Sequence, residues 1–213
     1  MYRRFLVRVK NVLSKLIRKI YLKKRKRKIK NTTLSVFASN CVGACVLHDL
    51  GIKFNSPFVN LYLDAKDYIK YLHDPDKYNK MDFEKIESTN GYPMGKLGDL
   101  IFHFQHYKSF DEAVDSFKRR CKRINYENLY VIFSERDGCT YEDLKEFDAL
   151  PYKNKIVLTH LPYDEIKSSV YISGYEENDG LGYIFDWDKK LGKKIYDRFD
   201  FLGWFNGDFS VGN

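Results

Sequence analysis

No acidic side chain occurs in the first thirty residues, although 29 Asp and Glu follow. Cysteine is sparse as well: Cys41, Cys45, Cys121 and Cys139 form no C-x-x-C pair and no tight Cys/His grouping. That excludes a disulfide scaffold and a zinc ribbon, and it suits a reducing, intracellular compartment. No uncharged apolar run reaches the roughly 18 to 20 residues a spanning helix needs, and no small-residue cleavage site closes the basic N-terminal segment. That segment is read as neither a transmembrane helix nor a signal peptide. The patterns G-x-x-x-x-G-K-[ST], G-x-G-x-x-G and G-x-S-x-G are absent, so nucleotide cradles and the hydrolase elbow have no support.

What is present is enough apolar material for one ample domain: 213 residues, 44% hydrophobic and 16% aromatic. The net charge of +8 is unevenly placed. Residues 1–30 hold fourteen of the 37 Lys and Arg, and the rest carries 23 basic against 29 acidic side chains. A mildly acidic domain, residues 31–213, thus follows a basic arm, residues 1–30, which excludes a globally basic nucleic-acid binder.

In the arm, apolar residues from Tyr2 through Val12, Leu16 and Ile20 to Tyr21 recur at steps of three and four, as on one stripe of a helix. Lys23-Lys24-Arg25-Lys26-Arg27-Lys28 follows as a basic knot. An anionic membrane surface, met by Arg3, Arg4 and that knot, is the favoured partner. It would place the protein in the cytoplasm, peripheral to the inner face of the membrane. A helix packed on the domain or on a second copy is the alternative reading. Nucleic acid is disfavoured, because no basic stripe continues into the domain.

The chain is organised around residues 34–51. Leu34 to Ala38 suits a strand buried on both faces, Ser39-Asn40-Cys41 a polar turn, and Ala44 to Leu50 a helix that Gly51 ends. A strand that feeds a polar turn into a helix is where α/β proteins place their chemistry. Cys41 and Ser39 are the candidate nucleophiles there, with a buried, packing cysteine as the alternative.

Further along, Phe58 to Leu63 reads as a second buried strand, Ala65 to His73 as a helix, and Pro75 as the start of another. Residues 84–95 read as a loop. Residues 98–107 read as a strand through aromatic alternation, whereas a helix would gather Asp99, His103 and His106 at metal-ligand spacing. Phe110 to Ile124 and Thr140 to Leu150 read as helices, and Leu129 to Phe133 and Lys155 to Thr159 as strands. Residues 170–172 and 181–185 are candidates for a C-terminal hairpin, and 196–209 for an aromatic lid. The expected class is α/β: a mostly parallel sheet flanked by helices in three layers, with the N-terminal basic amphipathic helix and a small C-terminal β and aromatic extension. Polar groups gather at three strand ends: residues 39–41, 134–137 and 160.

Ser39-Asn-Cys-x-Gly43, Tyr92-Pro-x-Gly95, His103-Phe-x-His-Tyr107, Arg136-Asp-Gly-Cys-Thr140 and Trp204-Phe-Asn-Gly207 occur in one order. Together they resemble a bacterial family of domains labelled exopolysaccharide biosynthesis proteins. The likeness covers most of residues 31–207. It implies a part in making capsule, exopolysaccharide or lipopolysaccharide, with a sugar or lipid-linked saccharide as substrate. The Asn-Cys turn is also similar to one in an acetyltransferase group of capsule gene clusters, which suggests an acyl donor such as acetyl-CoA.

The first functional reading is therefore an acyltransferase acting on a sugar precursor. Cys41 or Ser39 would be the nucleophile, His103 or His106 the base, and Asp137 its orienting acid. Asn40 and the amides up to Gly43 would hold the oxyanion, with Arg136 and His160 binding substrate. The second reading is a glycosyltransferase whose Asp186-x-Asp188 holds a divalent metal and a sugar diphosphate. The third is a membrane-tethered binding protein of the assembly machinery without catalysis.

Overall fold

A computed structural model describes the backbone of residues 2–211 and the side chains of residues 10–211. The side chains of Arg3 and Arg4 therefore lie outside the described residues. Its centre is a four-stranded parallel sheet in the order β1-β5-β6-β7, formed by β1 (Ser35–Ala38), β5 (Leu129–Ser134), β6 (Asn154–Thr159) and β7 (Ser169–Tyr171). Every residue of β1 and β5 is buried. Successive side chains therefore feed two separate cores.

On one face Phe37, Val131, Phe133 and Val157 pack with α3 (Ala65–His73), α5 (Phe110–Cys121) and α6 (Tyr141–Ala149). On the other, Val36, Ala38, Ile132, Ile156 and Leu158 pack against α2 (Val42–Leu50) and the C-terminal segment. Burying one such Val, Leu or Phe contributes about 1.5–3 kcal/mol. The expected three-layer α/β class is the one observed. Helix ends follow from sequence: Thr140 and Asp143 form a reciprocal capping box on α6, Ser109 caps α5, and α4 (Pro75–Asn79) begins with its proline.

Several expected elements differ. Residues 84–95 are not one loop. They contribute to β2 (Phe83–Ile86) and β3 (Met94–Leu97), which form a separate antiparallel sheet with β4 (Leu100–His103). Phe58 to Leu63 is not a strand. Asn60 takes a left-handed conformation (φ 65°), and only Tyr62 pairs, in an isolated bridge to His103. Residues 170–172 and 181–185 form no hairpin, because β7 runs parallel to β6 while 181–185 is irregular. The C-terminal extension is therefore aromatic and helical. It ends in α7 (Phe201–Asn206), where Trp204 and Phe205 are buried.

The basic arm is one helix, α1 (Tyr2–Lys26), and it is seated on the domain. Arg18 is buried, against expectation for a charged residue of an amphipathic stripe. Its guanidinium pairs with Asp49 of α2 and with Asp197 (2.7 Å), and donates to the Tyr196 hydroxyl (2.7 Å) and the Gly192 carbonyl (3.3 Å). Burial alone would lower its pKa, but the hydrogen bond to Asp197 and the charges around it raise it overall. Gly192 is required by this seating: a Cβ there would lie 2.5 Å from the Ile17 side chain. Arg25 pairs with Asp200 (2.7 Å).

Candidate functional site

The turn after β1 and the turn after β5 are neighbours, because those strands pair in register from Ser35–Leu129 to Ala38–Ile132. Both turns therefore open at the carboxyl edge of the sheet, where α/β folds bind ligands. A cleft of about 510 Å³ lies there, floored by Asn40, Cys41, Arg136 and Asp137. Tyr62, Gln105 and His106 wall it from one side, and Tyr183, Phe185, Lys194 and Tyr196 from the other.

The segment before α3 stitches the floor together. Leu63 donates its N–H to the Ser39 carbonyl (3.0 Å) and Ala65 donates to the Asp137 carbonyl (3.0 Å). Tyr62 and His103 exchange both backbone hydrogen bonds (3.0 Å each), which fixes the antiparallel sheet to the edge of the parallel one. The Tyr62 ring stacks on the His103 imidazole, with centroids 4.2 Å apart and planes 9° apart. Tyr92 completes the group: its hydroxyl lies 2.9 Å from that of Tyr62 and 3.4 Å from His103 Nδ1. Burial lowers the pKa of His103, while the charges of Asp64 and Asp137 raise it by less, so the ring is neutral at pH 7.

Asp137 sits in a left-handed conformation (φ 54°) directly before Gly138 (φ 79°), an arrangement that Asp tolerates better than most residues. Its carboxyl pKa is raised, chiefly by burial and against the attraction of Arg136. The Asn40 side chain, close by, lowers it in part. A carboxyl raised by desolvation in a cleft marks a candidate acid/base group.

The proposed nucleophiles fare differently. Cys41 lines the cleft, but burial, Cys45 and Asp137 push its thiol up to about 12. Its one hydrogen bond is a long contact from Sγ to the Leu61 carbonyl (3.9 Å). Neither His103 nor His106 bonds to it among the described residues, so no imidazole is placed to ionise it. Ser39 is buried at the end of β1, its hydroxyl without a partner and away from the cleft lining.

One expected oxyanion donor is also otherwise engaged. The Val42 N–H is capped by the Asn40 side-chain oxygen (3.1 Å). Gly43 is a packing position, since a Cβ there would lie 2.8 Å from Ala38 Cβ and 3.0 Å from Val36. Only its missing side chain lets α2 rest on β1. Asn40 and Arg136 do reach the cleft, with Arg136 anchored to the Gly182 carbonyl (3.2 Å).

His160 belongs to a different cluster, at the ends of β5 and β6. Glu135 accepts from the His160 N–H (2.8 Å), lies 2.6 Å from Nδ1, and accepts from the Tyr163 hydroxyl (2.8 Å). In the Asp186-x-Asp188 pair, one carboxylate already has protein partners. Asp188 is buried against Arg198 (2.6 Å) and accepts from the Lys190 N–H (2.9 Å). Burial would raise its pKa, but these partners lower it overall. No group of three or more His, Cys, Asp or Glu suited to a metal occurs among the described residues.

The cleft residues that sequence reasoning missed are Cys45, Tyr62, Gln105, Tyr183, Phe185, Lys194 and Tyr196. Tyr62 carried a signal, as its partner His103 and neighbour Tyr92 both stood in recurring motifs.

The family profile described as "Domain of unknown function (DUF1919)" matches residues 12–206. The chain is also similar to an uncharacterized protein of Haemophilus influenzae. The two are 42% identical over 199 residues, which covers 93% of this chain and 97% of that protein.

Proposed function

The chain belongs to the DUF1919 family, and we propose that its cleft transfers an acyl group to a hydroxyl of a saccharide precursor, with Asp137 as general base. The observation that carries this reading is the Asp137 carboxyl, raised by burial and lining the cleft beside Asn40. Asp137 takes the proton of the acceptor hydroxyl as its oxygen attacks the carbonyl carbon of an acyl thioester such as acetyl-CoA. The C–S bond then breaks, and the proton passes from Asp137 to the departing sulfur. The transfer is direct, since Cys41 stays a thiol at neutral pH.

The lining supports a sugar as acceptor. Tyr62, Tyr183 and Phe185 offer aromatic faces for the C–H side of a pyranose ring, while Asn40, Gln105 and Asp137 offer planar hydrogen-bonding groups for its hydroxyls. Arg136 and Lys194 add positive charge for a phosphate on an activated sugar or on the donor. The resemblance of the motif set to exopolysaccharide biosynthesis proteins supports a cell-surface polysaccharide precursor. The test is transfer of radiolabelled acetyl groups from acetyl-CoA to saccharides extracted from bacterial membranes. Wild type and Cys41→Ala should label the same product, and Asp137→Asn should label it at least about a hundredfold less.

A further inference from the structure

The docked helix α1 presents two unlike faces. Ser14, Ile17, Arg18, Tyr21 and Arg25 turn toward the domain. Val12, Leu16 and Ile20, spaced by four residues, share the opposite face and are 60%, 54% and 60% exposed, with Leu13 at 44% beside them. An apolar stripe of this kind ordinarily faces a core. Here the face seated on the domain mixes Ser14 and Arg18 with Ile17 and Tyr21, and Val12, Leu13, Leu16 and Ile20 of the apolar stripe are left outward.

We infer that this outward stripe is a membrane-binding face, and that its partner is an anionic lipid bilayer. The flanks decide between occupants. Lys15, Lys19, Lys23, Lys24 and Lys26 are exposed around the stripe, and residues 1–30 contain no acid. A second copy of the same helix would bring two acid-free basic surfaces together, which like charge opposes. Nucleic acid would satisfy the lysines but leave the apolar stripe in water. An anionic bilayer satisfies both, with the stripe in the acyl boundary and the lysines at the headgroups. No helix among the described residues is long and apolar enough to cross the membrane, so the face lies on the surface. The inference does not depend on the chemistry assigned to the cleft.

The test is flotation of the full chain with vesicles of phosphatidylcholine alone and of phosphatidylcholine with one quarter phosphatidylglycerol. The protein should float with the anionic vesicles, with binding that falls as salt rises. Leu16→Glu/Ile20→Glu should lower the partition coefficient at least about tenfold, because each residue forfeits the burial of a whole side chain. Both positions are exposed, so the variant should keep the wild-type melting temperature and circular dichroism. Equal flotation of the double variant and wild type would overturn the inference, as would no binding to anionic vesicles. So would a wild-type dimer in sedimentation that the double variant loses, or tight RNA binding that persists without lipid binding.

Discussion

Arg18 of the N-terminal helix donates a 2.7 Å hydrogen bond to Tyr196, a residue of the cleft wall. Tyr196 in turn donates to Asp49 (2.6 Å), which also pairs with Arg18. The seat of the basic helix and one wall of the cleft are therefore a single buried polar network. Removing Arg18 would leave Asp49 and Asp197 facing each other without their cation. Arg18→Ala should accordingly lose about 3–5 kcal/mol of stability. Urea denaturation checks this, and the loss should exceed that of Arg25→Ala, whose Asp200 partner is exposed.

Asp137→Asn should stabilise the protein at pH 7. The folded-state pKa of Asp137 lies above its unfolded value, so the folded state holds the proton more tightly. The stability this group lends is present below the ordinary carboxylate pKa and is lost as pH rises through the raised folded value. Asparagine accepts the left-handed backbone and avoids the buried charge. Melting temperatures should show the variant above wild type at pH 7, with the gap closing toward pH 3.

His103 titrates with the opposite sign. Its pKa is depressed by burial, so its neutral form contributes stability above the ordinary histidine value, and that contribution is lost as pH falls below it. His103→Gln should flatten the fall in stability between about pH 6.5 and pH 5, measured by thermal denaturation across that range.

Gly43→Ala should destabilise by about 1–3 kcal/mol, because the added methyl meets Ala38 and Val36 at 2.8 and 3.0 Å in a core where neither can withdraw. Pairing it with Ala38→Gly should recover part of the loss, since the nearer clash is removed. Denaturant unfolding of the single and double variants measures both terms.

Cys41 should be inert to alkylation at neutral pH, its thiol being pushed up to about 12 by burial. Timed iodoacetamide labelling with peptide mass spectrometry checks this. Modification of Cys41 within minutes at pH 7 would restore it as a nucleophile.

The parallel sheet was legible because β5, Leu129-Tyr-Val-Ile-Phe-Ser134, is buried on both faces and reads as an unbroken apolar run. The antiparallel strands were not. Phe83-Glu-Lys-Ile86 is only partly buried, so its composition resembles a loop. Leu181 to Phe185 misled in the other direction: Leu181 and Ile184 are buried one by one against the domain, without a ladder. Asn40, Cys41 and Asp137 could be placed together from sequence because they stand at strand-end turns, and they do line one cleft, but their ionisation could not be read there. Whether a cysteine is ionised depends on burial and on neighbours that lie far away in sequence. Arg18 shows the same limit, with partners 31 and 179 residues distant. A helical-wheel argument sends such a charge to solvent.

The most direct measurement of the central claim is acetyl transfer from labelled acetyl-CoA to membrane-extracted saccharides by wild type, Asp137→Asn and Cys41→Ala in parallel. Direct transfer with Asp137 as base predicts activity in wild type and Cys41→Ala, and a fall of at least about a hundredfold in Asp137→Asn. Loss of transfer in Cys41→Ala with activity kept in Asp137→Asn would contradict it, as would no transfer by wild type.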